Sequence, residues 1–427
     1  MMPRTPASCK TRSLSYPPRI GEVELPALRR LLEMMPSPVP DRPGLLIRDP
    51  RQYSPFVIVI PAPLVPFLAF FDGAQTLESL KESLVRSTGD IRAASFALEL
   101  HGNLSKWGFL EDEAFGILKA EKEAAFAQAS AVPATHAGSA YPAEADALVV
   151  TLEGYLAQGE ETSFASEGLV GVGAPHVSPE GGGRSYGVAY RAAARLPKQA
   201  TFVVLGTSHS GTPNRFGLTK KPFATPLGET TVDPEGVLAL SEGAPGGVIL
   251  EDYAFLSEHS VEFQVVFLQH AFGPGVRILP VLCGPLVSDP GGLPEDDPHV
   301  SSFLAALRDL AEARGGDLVF VLGIDWAHIG RRYGDDFVAR ALEGPLRDVE
   351  ARDRERLERL CAGDAEGFWR LHGEEDPLKW CGTSPLYTFL RAVPDARGKV
   401  LAYDQWNIDP ESVVSFGALA FFLGRVS

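Results

Sequence analysis

Residues 201–209 read TFVVLGTSH: a short apolar run, a glycine and, three residues later, a histidine. Two other stretches follow a similar plan, LVGVGAPH at residues 169–176 and LVFVLGIDWAH at residues 318–328. Short apolar runs bounded by glycine are typical of strands buried within a sheet. Helical patterns lie between these runs, so the sequence predicts an α/β fold, a mixed sheet flanked by helices.

The second half of the chain supplies further candidates of both kinds. The predicted strands are Leu169–Ala174, Thr201–Leu205, Val276–Leu282, Leu318–Gly323 and Lys399–Tyr403. The predicted helices are Glu144–Ala157, Gly183–Leu196, Glu258–Ala271, His299–Arg314, Phe337–Ala362, Ala365–His372 and Ser384–Arg391. In α/β sheets, functional residues lie in loops at the carboxyl ends of the strands. We therefore expect the chemistry there.

A length of 427 residues predicts two or three domains at about 150 residues each. We expect an N-terminal extension at residues 1–42, with a short helix at Leu25–Met35. A small α+β module at 43–115 and a helical linker at 116–132 follow, and one large α/β domain occupies 133–427. The small module orders its elements as a winged helix does. Its segment FFDGAQTLESLKESL, residues 70–84, resembles the PqqD-like peptide-recognition domains.

Charge argues against two classes of partner. Lys and Arg number 39 and Asp and Glu 55, a net charge of −16, which repels nucleic acid and anionic membranes. Phe56–Phe71 is wholly apolar but contains three prolines and is shorter than the ~20 residues a membrane helix needs. We predict a strand followed by a helix there, no nucleic-acid partner and no membrane partner.

The four cysteines show no CxxC spacing, which favours a reducing, cytoplasmic location. Cys381 lies just before a predicted helix, where a thiol pKa is lowered and a thiolate ligand or nucleophile is favoured. A buried small residue is the alternative.

Histidines mark the strand ends. His176, His209 and His328 each follow an apolar run, and His259 opens a predicted helix. Imidazole is the commonest transition-metal ligand, and strand ends give rigid positions. Considered alone, each histidine is more often an ordinary loop or core residue with a satisfied hydrogen bond than a metal ligand. Three such placements in one domain favour a shared site.

Seven blocks occur in the order found in the Memo family, called AmmeMemoRadiSam system protein B in bacteria and archaea, and residues 133–425 resemble that family. The blocks are PATHAGSAYPAEADAL, GAPHVSPEGGGRSYGVAY, VVLGTSHSG, SEHSVEFQVVFLQ, LGIDWAHIGRRYG, WCGTSPLYTFL and SVVSFGALAFF. The resemblance implies a fold like that of the class III extradiol dioxygenases. It also implies a metal site of His176, His209 and Cys381.

That ligand set suits non-haem Fe²⁺, with copper and zinc as alternatives. By the same resemblance His259, Asp325 and His328 line the pocket. We expect His259 or His328 to act as general acid or base, and Asp325 to orient His328 or receive a proton. Glu258 and Glu262 are candidate partners of the histidines.

The chain departs from the family pattern in two places. Where the family has PHAGYxYSG, this chain has PHVSPEGGGRSYG. The glycines Gly181–Gly183 suggest a remodelled loop, which we interpret as a mobile lid. Where the family has Ser-Ser-Asp, this chain has Gly323, Ile324 and Asp325.

The resemblance favours a non-haem iron or copper redox enzyme, dioxygenase-like, acting on a small molecule or peptide. It implies radical-SAM and other partners of the AmmeMemoRadiSam system. Two alternatives are a non-catalytic module that binds a peptide or partner, and a metal-dependent hydrolase in which a metal-bound water attacks.

Overall fold

The computed structural model describes residues 23–37, 39, 41–160, 167–372 and 376–424. Contacts between residues divide the chain into two units, residues 1–122 and residues 123–427. Each unit has its own hydrophobic core.

The N-terminal unit contains a three-stranded antiparallel sheet and helices. Its strands are β1 (Glu33–Pro36), β2 (Gly44–Arg48) and β3 (Val57–Pro61), in the order β1-β2-β3. Its helices are a 3₁₀ helix (Ala62–Phe70), α1 (Leu77–Thr88) and α2 (Ala93–Lys106), while α3 (Glu113–Gln128) runs from this unit into the next. Thr76 and Ser79 form a reciprocal capping box that fixes the start of α1.

The helix predicted at Leu25–Met35 is wrong. Residues 33–36 form β1 instead, because their main chain pairs with β2. Leu25 is fully buried in the core of the unit, and Arg29 is buried as well, in an ion pair with Asp49. The strand and the helix predicted within Phe56–Phe71 are present, although the helix is of the 3₁₀ type. The structure thus confirms a small α+β unit with an antiparallel sheet.

The C-terminal unit is built on one mixed sheet of ten strands, with a separate sheet of β4, β8 and β9. The strands are β4 (Val132–Pro133), β5 (Leu169–Ala174), β6 (Thr201–Thr207), β7 (Phe216–Leu218), β8 (Phe223–Thr225), β9 (Gly228–Glu229), β10 (Thr231–Val232), β11 (Val248–Leu250), β12 (Arg277–Cys283), β13 (Leu318–Gly323), β14 (His328–Gly330), β15 (Ala396–Asp409) and β16 (Ser412–Leu423). The helices are α4 (Ala145–Gln158), α5 (Pro179–Ala193), α6 (Pro234–Gly243), α7 (His259–Phe272), α8 (Pro298–Arg314), α9 (Pro345–Cys361), α10 (Ala365–His372) and α11 (Thr383–Ala392).

The main sheet runs β11-β7-β12-β6-β13-β5-β16-β14, with β10 beside β12 and β15 beside β16. Strands β12, β6, β13 and β5 are parallel, and β16 is antiparallel to β5. The four central strands are almost completely buried, because helices cover both faces. The predicted mixed α/β sheet is confirmed.

Two local predictions need correction. The glycines 181–183 lie inside α5 and not in a mobile lid. A Cβ at Gly181 would come within 2.3 Å of the Trp406 ring, and one at Gly183 within 2.6 Å of Tyr155, so these glycines let α5 pack closely. The helix predicted from Phe337 begins only at Pro345, since residues 337–344 form turns.

Within the described ranges, no helix combines the length and the apolar character needed to cross a membrane. Phe56–Phe71, weighed above as a span, forms β3 and the following 3₁₀ helix, as predicted.

Candidate metal centre

Three neighbouring parallel strands deliver side chains to one edge of the sheet. Strand β13 lies between β5 and β6. His176 follows β5, His209 follows β6 and Asp325 follows β13, each by two residues. The parallel arrangement therefore brings together residues that are far apart in sequence.

His176 is held in one orientation by the strand beside it. Its side chain is buried, and Nδ1 lies 3.0 Å from the carbonyl oxygen of Gly323. Because a carbonyl can only accept, Nδ1 carries the proton and Nε2 keeps its lone pair. Nε2 lies 3.2 Å from Sγ of Cys381 and 3.5 Å from Oδ2 of Asp325. The main-chain amide of His176 donates to Oδ1 of Asp325.

His209 is oriented by a carboxylate. Its Nδ1 lies 3.1 Å from both oxygens of Glu258, and its main-chain amide donates to Oε2 of Glu258. Although burial opposes the charge, Glu258 and Cys381 raise the pKa of His209 well above its usual value. Burial also opposes the charge on Glu258, but His209 lowers the pKa of that carboxyl. Glu258 also caps α7 by accepting from the amide of Ser260.

Cys381 lies just before α11, in a turn that requires glycine. The amide of Gly382 donates to the carbonyl of Asp325, and a Cβ at Gly382 would come within 2.6 Å of that oxygen. The hydroxyl of Thr207 donates to the carbonyl of Cys381. Burial disfavours the thiolate, but His176 and His209 together lower the pKa of Cys381 below its usual value.

Nitrogen and sulfur atoms of His176, His209 and Cys381 all lie within 4.8 Å of one another, a spacing that can hold a metal ion. His209, Glu258 and His259 form a second group with the same spacing. In that group, however, Glu258 already accepts hydrogen bonds from two main-chain amides and contacts His209 Nδ1. The His176, His209 and Cys381 group therefore fits a metal better, because each histidine keeps its second nitrogen for the ion.

His259 lies beside this group without joining it. It is the first residue of α7, and its ring centroid lies 5.0 Å from that of His209 and 5.2 Å from that of His176. Burial, together with the neighbouring histidines, lowers the pKa of His259 well below its usual value, although Glu258 opposes this.

His328, on β14, is oriented by two main-chain carbonyls. Its Nδ1 lies 2.9 Å from the carbonyl oxygen of Trp326 and 3.1 Å from that of Lys379. Burial lowers the pKa of His328, and Asp325 opposes the shift. Burial raises the pKa of Asp325 to about 6, although His328 and the amide of His176 oppose this.

Sequence reasoning named Glu262 as a candidate partner of a histidine but missed the two residues that contact it, His136 and Tyr141. Nδ1 of His136 lies 2.9 Å from Oε2 of Glu262, and the Tyr141 hydroxyl donates to Oε1 at 2.5 Å. The His136 ring packs edge-on against His259, with centroids 5.7 Å apart. His136 follows the two-residue strand β4, which is too short to give a pattern, so only the family block that contains it marks this position. Glu262 thus contacts His136, and Glu258 contacts His209.

A family model described as Memo-like protein matches residues 133–420. A MEMO1 family protein of Aquifex aeolicus is 27% identical over 383 residues, covering 88% of this chain and 96% of its own. MEMO1 family protein TTHA0924 of Thermus thermophilus is 26% identical over 349 residues, which cover 81% of this chain and 98% of that protein. Residues 123–427 make up less than three quarters of this chain, so both matches extend into the N-terminal unit.

Among solved structures, an uncharacterized protein, JW3007, of Escherichia coli K12 matches at a TM-score of 0.37 and 14% identity, over 59% of this chain and 99% of that one.

Proposed function

This chain belongs to the Memo-like protein family, and we propose that it is a metalloprotein that binds one transition-metal ion through His176, His209 and Cys381. One observation carries the proposal: three donor atoms from three separate loops lie within 4.8 Å of one another. Loops after β5 and β6 and the turn before α11 place them there. A purely structural role would not require two imidazoles and a thiol to share one point.

The donors fit a transition metal chemically. In both histidines the nitrogen turned away from the group is already engaged, His176 by a carbonyl and His209 by a carboxylate. Such partners fix the ring and raise the basicity of the metal-binding nitrogen. The lowered pKa of Cys381 favours the thiolate, the form that binds metals.

Nitrogen and thiolate donors suit Fe²⁺, copper and zinc. We propose iron first, with copper second, and a redox reaction on a small molecule or peptide. Bound iron or copper would supply one-electron and oxygen chemistry.

Three side chains near the proposed metal are candidates for accepting or donating a proton during the reaction. Because His328 donates from Nδ1 to carbonyls, its Nε2 is free to accept a proton from a substrate. His259, packed against both histidine ligands, is the second candidate. Asp325 is the third: it is buried and lies 3.5 Å from Nε2 of His176. The partnership with a radical-SAM enzyme and its companion proteins also stays a proposal.

Metal analysis of protein purified without oxygen tests the site. We expect the wild-type chain to approach one iron per chain. His209→Ala and Cys381→Ala should each reduce the metal to a trace. Cys361→Ser and His299→Ala are matched controls, since Cys361 on α9 and His299 on α8 belong to neither candidate group, and both should keep the metal.

The identity of the metal separates the alternatives. Stoichiometric zinc, retained by the controls and lost in the ligand variants, would favour the hydrolase over the redox enzyme. Only trace metal in the wild type, unchanged in His209→Ala and Cys381→Ala, would refute the metal site and favour a non-catalytic binding module.

A further inference from the structure

Three aromatic side chains form a stacked row that begins beside the candidate metal centre. Trp380 directly precedes Cys381, and both residues line the same cavity. The centroid of the Trp326 ring lies 5.8 Å from that of Trp380 and 5.5 Å from that of Tyr403, and the ring planes differ by 20° and 22°. Trp326 directly follows Asp325, another residue beside the centre. Such spacings are those of aromatic rings in contact, so the row is continuous.

The other end of the row lies near the surface. Trp326 and Trp380 are buried, whereas Tyr403 is half-buried. The guanidinium of Arg354 lies over the Tyr403 ring, 5.1 Å from its centroid, and the Arg354 side chain is 54% exposed. Indole and phenol rings lose one electron more easily than phenyl rings or aliphatic side chains do. The row therefore offers an electron a continuous route between the centre and the solvent.

A buried carboxylate is placed to take the proton of the phenol. Asp353, on α9, is fully buried, and its Oδ2 accepts from the Tyr403 hydroxyl at 2.9 Å. Its Oδ1 accepts from the indole N–H of Trp380 at 2.7 Å. Burial raises the pKa of Asp353 to about 6, so the group is ionised at pH 8. An oxidised phenol is a strong acid and gives its proton to a base within hydrogen-bond reach, and Asp353 is such a base.

Trp326, in the middle of the row, is suited to pass an electron on. Its ring lies against Gly417, where a Cβ would come within 2.5 Å of the ring, and its amide donates to the carbonyl of Ser415. Among the described atoms, its indole N–H has no hydrogen-bond partner. Packing alone does not explain this, because an unpaired buried N–H costs free energy that a phenylalanine would avoid. An oxidised Trp326 therefore has no base to take its proton, and it is reduced again by Tyr403, which has one.

We propose that Trp380, Trp326 and Tyr403 form a one-electron path between the metal centre and the surface. The path discharges an oxidant that hydrogen peroxide leaves at the centre when no substrate is bound. Tyr403 gives up one electron, which passes through Trp326 and Trp380 to the oxidant. The phenol O–H bond breaks, and its proton moves to Asp353, so a neutral tyrosyl radical and a protonated Asp353 remain.

A small reductant such as ascorbate then restores the path. It gives one electron to the half-buried Tyr403, and the proton returns from Asp353 to the phenol oxygen. The path rests on the proposed function, because the oxidant arises at the iron.

The test is electron paramagnetic resonance on the full chain, loaded with Fe²⁺ without oxygen and with its bound iron measured. The sample is mixed with hydrogen peroxide at pH 8, without substrate, and frozen. The wild type should give a tyrosyl radical signal, which should narrow when the protein is made with ring-deuterated tyrosine. Ascorbate added before freezing should remove the signal. Tyr403→Phe and Trp326→Phe should both lose the signal and keep the iron.

Tyr141→Phe is the matched control. The Tyr141 hydroxyl also donates to a carboxylate, that of Glu262, but its ring packs edge-on against Phe263, with centroids 6.1 Å apart. Because a phenyl ring does not readily give up an electron, Tyr141→Phe should keep both the signal and the iron. If Trp326→Phe does not fold, Tyr403→Phe, which removes a single hydroxyl, still decides the matter.

Two kinds of failure are distinguishable. A wild-type chain that binds no iron would refute the proposed function and the path with it. Bound iron without a tyrosyl signal would refute the path alone. A signal that survives in Tyr403→Phe or in folded Trp326→Phe, or that is lost in Tyr141→Phe, would also refute the path.

Discussion

The two units of the chain bury polar groups in different ways. In the described part of the N-terminal unit, the buried polar residues are Arg29, Asp49 and Ser54. They form one structural group: Arg29 pairs with Asp49 at 2.8 Å, and Asp49 accepts from the amide of Ser54. In the described part of the C-terminal unit, one group of buried polar residues lies at the carboxyl ends of β5, β6 and β13 and at the start of α7, and others, such as Asp353 and Arg356, lie elsewhere.

The difference lies in what the buried groups do for the fold. Arg29 and Asp49 satisfy each other and brace the chain. The buried side chains of His176, Glu258 and Asp325 instead lie close to the more exposed His209 and Cys381, and burial and mutual charge shift several of their pKa values. Such clusters are found where chemistry is performed. We therefore expect the chemistry in the C-terminal unit, while a role of the N-terminal unit in recruiting a peptide or partner stays a prediction.

Separating the units gives the largest expected effect. Residues 112–427, which begin just before α3, should fold alone and bind as much metal as the full chain, whereas residues 1–111 should bind none. Metal analysis and circular dichroism of both fragments measure this. An insoluble 112–427 fragment beside a stable full chain would contradict the comparison.

A shorter fragment sharpens the boundary. Residues 133–427 lack Phe126, which is buried and packs edge-on against Tyr253, with ring centroids 5.7 Å apart. Losing that contact should lower the free energy of unfolding by about 2 kcal/mol relative to residues 112–427. Urea denaturation of the two fragments gives the difference.

Breaking the ion pair between Arg29 and Asp49 should destabilise the N-terminal unit alone. Asp49→Ala leaves the guanidinium of Arg29, which is 4% exposed, without its carboxylate, and should destabilise that unit by about 3–5 kcal/mol. Hydrogen exchange should accelerate in peptides from residues 23–111, and metal content should not change. Asp90→Ala removes a solvent-exposed pair with Arg92 and should leave exchange unchanged. A lower metal content in Asp49→Ala would mean that the units are coupled.

A buried carboxyl that accepts a hydrogen bond from Trp380 should give the C-terminal unit a pH-dependent stability. Asp353 is fully buried and accepts from Trp380, Ser415 and Tyr403. Burial raises its pKa to about 6, although these hydrogen bonds oppose the shift. The folded state thus holds the proton more tightly than the unfolded state, whose pKa is near 3.8.

Stability should therefore fall as the pH rises from about 4 to 6, by about 3 kcal/mol if Asp353 acts alone. Asp353→Asn, which cannot ionise, should flatten this dependence. Urea denaturation at pH 4, 5, 6 and 7 measures the pH dependence of stability. Asp364→Asn is the control, because the Asp364 carboxyl is partly exposed at the surface. An unchanged slope in Asp353→Asn would show that this carboxyl does not titrate in that range.

The sequence predicted the strands whose apolar runs are bounded by glycine. β5 and β13 have the predicted bounds, because the glycines around each apolar run limit where the strand can begin and end. β16, fully buried for most of its length, was missed because a continuous apolar run such as SVVSFGALAFF fits a helix as well as a strand. The short strands β7 to β11 were missed because two or three residues give no periodicity.

The candidate site was predictable only where a residue follows a recognisable strand or opens a helix. His176, His209 and Asp325 follow such strands, and their closeness depends on the strand order β6-β13-β5, which no local pattern contains. His136 and Tyr141 were missed because their partner, Glu262, is more than 120 residues away.

The smallest expected effect concerns the cluster of Glu262, His136 and Tyr141. Tyr141 is 5% exposed, and its hydroxyl donates to Oε1 of Glu262, whose other oxygen contacts His136. Tyr141→Phe removes one hydrogen bond to a buried carboxylate that keeps its contacts with His136, so the C-terminal unit should lose about 1–2 kcal/mol of stability. Metal content should stay at the wild-type level, because Glu262 contacts no proposed ligand directly. Tyr155→Phe, which leaves the Glu262 cluster intact, is the control. If Tyr141→Phe released the metal, the cluster would belong to the metal centre and not to its support, and the boundary of the site would have to be moved out to β4.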